Sequence, residues 1–373
     1  MFEFSSPDDF NQFVQRNLGA PPPAFRKSTL RKLILKDEHF ILSESALRPR
    51  CILHRCSLVG GTGNIILSLI MAMTSVANNK PNNRQEGVGV SYHFQQVGNV
   101  NVFYREAGDP SKPIILLLHG FPSSSVQFRE LIPELMDDYH LIAPDMPGFG
   151  QTEAPMKPFY EYTFDNLAKT MDAFIDSLGL KHFVMYIFDY GAPVGMRIAM
   201  WHPERIDAIV SQNGNCYKEG LGPKWAARAE YWAHPTPELR KQYSSAYALE
   251  TIKGQYVNGT PEGSVRPDGY TIDYAYMQLP GRKDQNDDLI FDYQTNVRLY
   301  PEMQKYFREY QPPLLAVWGK NDPSFIPAGA EAFRRDLPKA VVKFVDSGHF
   351  ALESHHTEIA KLMKKFLEGN NIK

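Results

Sequence analysis

Three stretches of this 373-residue chain carry side chains suited to making and breaking bonds, and each follows directly on an apolar run. After residues 183–187 come Phe188-Asp189-Tyr190-Gly191-Ala192, after 314–318 come Gly319-Lys320-Asn321-Asp322-Pro323, and after 341–345 come Asp346-Ser347-Gly348-His349-Phe350. Asp189 stands at the apex of a strand, a tight turn and a helix over 193–202, with small residues behind it, which is the setting of a nucleophile elbow. A carboxylate there attacks a saturated carbon, displaces an epoxide oxygen or a halide, and is left as an ester. An ester substrate would instead give an anhydride, so ordinary esterase or lipase chemistry is disfavoured. His349 has the chemistry of the base that activates water against that ester, and Asp322 that of the carboxylate that orients and supports the imidazolium. An aspartate ahead of a helix also serves as an N-cap. A cap does not account for a histidine and a second aspartate at two further strand ends.

The elements that must hold these residues are written in the hydrophobic pattern. Runs at 114–118, 141–143, 183–187, 209–211, 314–318 and 341–345 have the length and β-branched content of strands buried on both faces. Residues 90–94 and 100–105 flank Gly98-Asn99 and predict an antiparallel hairpin. Phe164, Leu167, Met171, Phe174, Ile175 and Leu178 recur at helical spacing and stop at Gly179. Strands alternating with helices imply a mostly parallel sheet covered on both sides, whose ligand site lies at the carboxyl ends of the strands. His119, in His119-Gly120-Phe121-Pro122 after 114–118, reads as a structural histidine, and His355 and His356 as solvated positions on the last helix.

Taken in chain order, Asp189, Asp322 and His349 at matching strand ends resemble the α/β-hydrolase fold, a mostly parallel sheet flanked by helices with a helical cap. Within it the chain resembles the branch of epoxide hydrolases and haloalkane dehalogenases with an aspartate nucleophile. The resemblance covers about residues 88–369. It implies that Asp189, His349 and Asp322 are catalytic and that the backbone N–H groups of Phe121 and Tyr190 form the oxyanion hole. Some dehalogenases carry the triad acid after the strand at 209–211, but Gln212-Asn213-Gly214-Asn215 offers none there. The setting of Asp145 in Asp145-Met146-Pro147-Gly148-Phe149-Gly150 matches the family's structural turn.

The aromatic-rich stretch 217–298 resembles the family's cap, which covers the site and supplies the leaving-group contacts. Epoxide hydrolases use two cap tyrosines to hold the epoxide oxygen; the pair here stays open, with Trp225, Trp232, Tyr274 and Tyr276 as candidate substrate contacts. Dehalogenases usually have tryptophan after the nucleophile, and one group an asparagine between the Gly and Pro of the first loop, where this chain has Tyr190 and Phe121. His-Gly-Phe-Pro is common among epoxide hydrolases, whereas Ile187 is nearer the dehalogenase pattern. Hydrolysis of an epoxide to a diol is therefore the first expectation; a haloalkane dehalogenase and a non-catalytic ligand-binding homologue are the alternatives.

The implied organisation is an N-terminal extension over 1–85, poorly ordered or preceding a true start at Met71 or Met73, core over 86–216, cap over 217–298 and core again over 299–373. A formal charge of −2 argues against a nucleic-acid partner. The three cysteines, Cys51, Cys56 and Cys216, have neither disulfide-scaffold nor zinc spacing. No metal or cofactor is expected, and the expected partner is a small apolar organic substrate. A cytoplasmic location is expected, although the apolar run near 58–77 leaves a membrane or targeting role open.

Overall fold

Unbroken runs of branched and aromatic side chains have no polar face to offer water, so they pair as central strands with helices over both faces. In the computed structural model these runs form one eight-stranded sheet. The structure describes residues 89–373 and, before them, the backbone of three strands, β1 (Phe2–Phe4), β2 (Lys32–Lys36) and β3 (His39–Ser43). The chain divides into two compact units, Met1–Arg84 and Gln85–Lys373. In the first, the three strands pair antiparallel in the order β1-β3-β2. The rest of the extension, with the apolar run at 58–77, lies outside the described residues.

The second unit begins with the hairpin β4 (Val90–Val97) and β5 (Val100–Ala107), in which Val97 pairs with Val100 across a turn where Gly98 has φ +54°. Then follow β6 (Ile114–Leu118), β7 (His140–Pro144), β8 (Phe183–Phe188), β9 (Ile206–Gln212), β10 (Leu314–Gly319) and β11 (Val341–Val345). The spatial order is β11-β10-β9-β8-β6-β7-β5-β4, parallel from β7 through β11 and antiparallel at β5 and β4. The chain leaves β6 to one side for β7 and returns to the other for β8. The carboxyl ends of β6 and β8 therefore flank the crevice where strand order reverses, the place where such sheets bind ligands.

The helices include α1 (Leu131–Leu135), α2 (Phe164–Ser177) and α3 (Gly191–Trp201). Helix α2 starts from Thr163, whose hydroxyl accepts from the Asn166 N–H at 3.2 Å, and ends at Gly179 with φ +70°. Between β9 and β10 come α4 (Trp225–Ala233), α5 (Pro237–Gln242), α6 (Leu249–Val257), α7 (Pro267–Met277) and the 29-residue α8 (Arg282–Tyr310). Helix α8 runs unbroken through residue 298, where the sequence pattern puts the boundary between the expected cap and core. The chain closes with α9 (Pro327–Asp336) and α10 (Leu352–Gly369).

Two details depart from the sequence pattern. Strand β11 is not covered on both faces: it is the sheet's edge, and Val341 and Phe344 are each 37% exposed. Helix α3 starts at Gly191 rather than 193, because Pro193 fits a first helical turn, whose N–H groups have no intrahelical partner anyway. Among the described residues no helix is long and apolar enough to cross a membrane.

Since the unit from Gln85 onward contains its own continuous apolar core, a chain starting at Gln85 is expected to fold with an unchanged thermal midpoint. Circular dichroism of that truncation checks it; a lowered midpoint or aggregation contradicts it.

Candidate active site

The backbone at Asp189 is set by the turn from β8 into α3. Its φ of +45° is a left-handed conformation that non-glycine residues rarely adopt, and such strain persists only where the surroundings enforce it. Here the Ala192 N–H bonds back to the Asp189 carbonyl at 3.1 Å. A Cβ on Gly191 would come within 2.3 Å of the Leu118 carbonyl oxygen, so only glycine fits behind the turn. On the other side of the crevice, a Cβ on Gly120 would sit 2.4 Å from the Asp189 Cβ. Glycine there lets the loop after β6 close on the carboxylate, and the Phe121 N–H donates to Asp189 Oδ1 at 2.8 Å. Tyr190 opens the first turn of α3, where backbone N–H groups have no intrahelical acceptor.

The second oxygen, Asp189 Oδ2, lies 3.4 Å from His349 Nε2, and His349 Nδ1 donates to Asp322 Oδ2 at 2.6 Å. The structure thus brings together the three side chains singled out by spacing, from the ends of β8, β10 and β11. Asp322 is further held by the Asn213 side-chain amide at 2.8 Å and the Ser324 N–H at 2.7 Å. Asn213 is itself fixed: its Oδ1 accepts from the Gly319 N–H at 2.9 Å and from Gln212 at 2.7 Å, while Gln212 also donates to the His349 carbonyl at 3.0 Å. These two residues escaped the sequence reading, which searched their stretch for an acid. The available signal was a polar pair directly after a buried strand, since buried amides need partners.

His349 is walled by the rings of Phe188, Phe350 and Phe325, with centroids 4.7, 5.4 and 5.8 Å away. Burial alone would push its pKa down. The carboxylates of Asp322 and Asp189 outweigh that and raise it to about 9. At neutral pH the imidazole is therefore a cation between two acids.

The roof is aromatic. Phe121 and Tyr190 pack at 5.6 Å, Tyr247 meets Phe121 at 6.1 Å, and Tyr293 lies 5.6 Å from Tyr190. Trp225 bridges Tyr293 at 4.7 Å and Phe325 at 5.3 Å. Of the four cap aromatics expected near the substrate, Trp225 is in this wall and Trp232 stacks behind it on Tyr293. Tyr274 and Tyr276 are both on α7, and the Tyr276 hydroxyl accepts from Gln151 at 2.8 Å. Tyr293 was missed because it lies on the long helix α8, where nothing in the sequence distinguishes it from other core-facing positions.

His119 bridges two loops, its Nδ1 side donating to the Gly120 carbonyl at 3.1 Å and its Nε2 accepting from the Met146 N–H at 2.9 Å. Burial holds its pKa below the usual histidine value, which suits this neutral tautomer. Asp145 accepts from the Ser125 and Gln151 N–H groups at 2.7 and 2.8 Å and ties the same loops. His355 and His356 are half-buried rather than solvated, because α10 packs that face towards α1. Among the described residues no group of three or more His, Cys, Asp or Glu is arranged to hold a metal ion.

A family model described as the alpha/beta hydrolase fold matches residues 113–251 and 267–356. A Saccharomyces cerevisiae protein called an uncharacterized hydrolase is 47% identical over 285 residues, covering 74% of this chain and 98% of that one. Epoxide hydrolase 3 of Mus musculus is 24% identical over 284 residues, covering 72% of this chain and 74% of its own. The crystal structure of a haloalkane dehalogenase from Bradyrhizobium elkani superposes with a TM-score of 0.64 at 22% identity, over 76% of this chain and 99% of that one.

The charge arrangement is open to titration. Because the folded pKa of His349 lies above the ordinary 6.5, its protonation contributes stability that is complete below about pH 6.5 and lost as pH rises through about 9. Nuclear magnetic resonance titration of His349 should give a midpoint near 9 in the native protein, lower by about one unit or more in D189N, where one carboxylate is gone. A midpoint near 6.5 in both contradicts the arrangement.

Proposed function

Because the chain belongs to the α/β-hydrolase fold family and is a hydrolase, we propose that it hydrolyses an epoxide to a diol through a covalent ester on Asp189. One observation carries the reading. The residue at the elbow is a carboxylate with one oxygen on the Phe121 amide and the other 3.4 Å from His349 Nε2.

In the first half-reaction, Asp189 Oδ2 forms a bond to one epoxide carbon as the carbon–oxygen bond of the ring breaks. The oxygen leaves as an alkoxide and needs a proton. The cap hydroxyl of Tyr293 is assigned this step; its ring packs on Tyr190 at 5.6 Å, and burial first, then the neighbouring Tyr300 and Asp189, hold its pKa above the usual tyrosine value. His349 enters as an imidazolium, and its proton makes good the one that the alkoxide takes.

Once Asp189 is an ester, the imidazole has lost one of its two acidic neighbours. Its pKa falls, and it becomes the base for the second half-reaction. It takes a proton from water as the hydroxide adds to the ester carbon; the oxyanion forms on Oδ1, beside the N–H groups of Phe121 and Tyr190. Collapse breaks the bond between Asp189 and the product, whose oxygen takes the proton from His349, and the proton left on the new Asp189 carboxyl then passes to His349 and restores the starting charges. Asp322 holds Nδ1 protonated throughout, so that Nε2 faces the water.

Two variants test this. D189N should lose turnover while staying folded, since its amide is nearly isosteric and a poor nucleophile. H349Q should alkylate Asp189 but not release it, slowing turnover by about 10²- to 10⁴-fold. Intact-protein mass spectrometry of H349Q then shows an added mass equal to the whole epoxide; for a haloalkane it would equal the alkyl group alone. An adduct on another residue, or normal turnover by either variant, contradicts the reading.

A further inference from the structure

His349 sits on a loop with little stiffness of its own. The residue before it, Gly348, has no Cβ to restrict its backbone. A side chain has no room there, because a Cβ would come within 1.9 Å of the Asn258 carbonyl oxygen. What holds the histidine loop in place must therefore come from outside it, and the close neighbour is the turn after α6.

That turn, Asn258-Gly259-Thr260, is tied to two of the three loops that carry the site. The half-buried Thr260 hydroxyl accepts from the Gly348 N–H at 3.0 Å and lies 3.2 Å from the Ser347 hydroxyl. Its own proton goes to the Tyr256 carbonyl in α6, at 3.2 Å. A hydroxyl has one proton, so Thr260 is left as an acceptor towards the histidine loop. On the other side, the Asn321 side-chain amide donates to the Gly259 carbonyl at 2.8 Å and to Asp346 Oδ1 at 3.0 Å, and the Asn321 N–H donates to the Ser347 carbonyl at 3.0 Å. Asn321 immediately precedes Asp322. The Tyr256 ring meanwhile stacks on Phe350 at 4.0 Å. Helix α6 and its turn thus touch the chain on both sides of His349 and the residue before Asp322.

We propose that Thr260 is a positioning residue for His349: its hydroxyl, anchored on α6, holds the Gly348 N–H and so keeps the imidazole against Asp322, while Gly259 steadies the Asp322 loop through Asn321. It acts through Gly348 rather than on a reacting atom. The bond that it protects, 2.6 Å between His349 Nδ1 and Asp322 Oδ2, is a short charge-assisted one that weakens as its ends separate. The proposal rests on the triad of the reading above and not on the substrate assigned to it.

Burial lowers the pKa of His349, while the charges of Asp322 and Asp189, the two acids that face it, raise it, so its titration midpoint reads how closely it is held. Nuclear magnetic resonance titration of the full chain compares the native protein with T260V, which removes the hydroxyl at nearly constant volume, and T260S, which keeps it. The midpoint should fall by about half a unit or more in T260V and return to the native value in T260S. A native midpoint in T260V means that Thr260 serves folding alone and overturns the proposal. Equal falls in T260V and T260S overturn it too, since the hydroxyl would not be the cause. Should T260V not fold, N321A takes its place, because Asn321 is exposed: its midpoint should also fall, and an unchanged one overturns the proposal. No turnover enters these measurements. A missing adduct in H349Q therefore refutes the ester mechanism separately from the role of Thr260.

Discussion

A buried imidazole flanked by two carboxylates is stable only while all three charges stay together, because each of them alone would be a costly ion in an apolar wall. That constraint organises this molecule. His349 touches Asp322 through one ring nitrogen and approaches Asp189 through the other, and the phenyl rings of Phe188, Phe325 and Phe350 keep it dry. Asn213 and Ser324 donate to Asp322 as well. The three side chains come from β8, β10 and β11, and β9 between them contributes Gln212 and Asn213. Parallel pairing places these strand ends side by side, so the sheet fixes the distances between the charges.

The same arrangement explains the order of events in the proposed cycle. The nucleophile faces the imidazole, and the imidazole holds the proton that the opened ring requires. Esterification removes one acid from the triad and thereby turns the remaining histidine into a base. One change of charge at Asp189 switches His349 from proton store to proton acceptor, with no movement of the backbone. The strained φ of Asp189 and the crowding at Gly120 and Gly191 belong to this economy. They hold the carboxylate beside the Phe121 amide, where the proposed cycle puts its oxyanion.

Much of this was legible in the sequence, and the parts that were not have a common cause. Strands buried on both faces leave unbroken apolar runs, and residues directly after such runs must lie at one edge of a parallel sheet. Asp189, Asp322 and His349 could therefore be placed without a structure. The exposed face of β11 was misread because an edge strand and a central strand of five residues have the same composition. Asn213 was passed over because its role is to donate to an acid, and an amide gives no chemical signal of its own. The cap was the least legible. Its helices bury aromatics on several faces, so spacing does not say which ring joins the wall beside Tyr190; Tyr293 does, while the Tyr276 hydroxyl is bound to Gln151.

The central claim is that the oxygen added to the substrate comes first from Asp189 and only later from water. A single turnover in ¹⁸O-labelled water, with enzyme in excess over an epoxide that it hydrolyses, reads this directly. Mass spectrometry of the peptide containing Asp189 and of the diol should find the label in the aspartate carboxylate and an unlabelled diol. A labelled diol with an unlabelled Asp189 after that first turnover would mean that water attacks the epoxide itself, and the ester mechanism would be wrong.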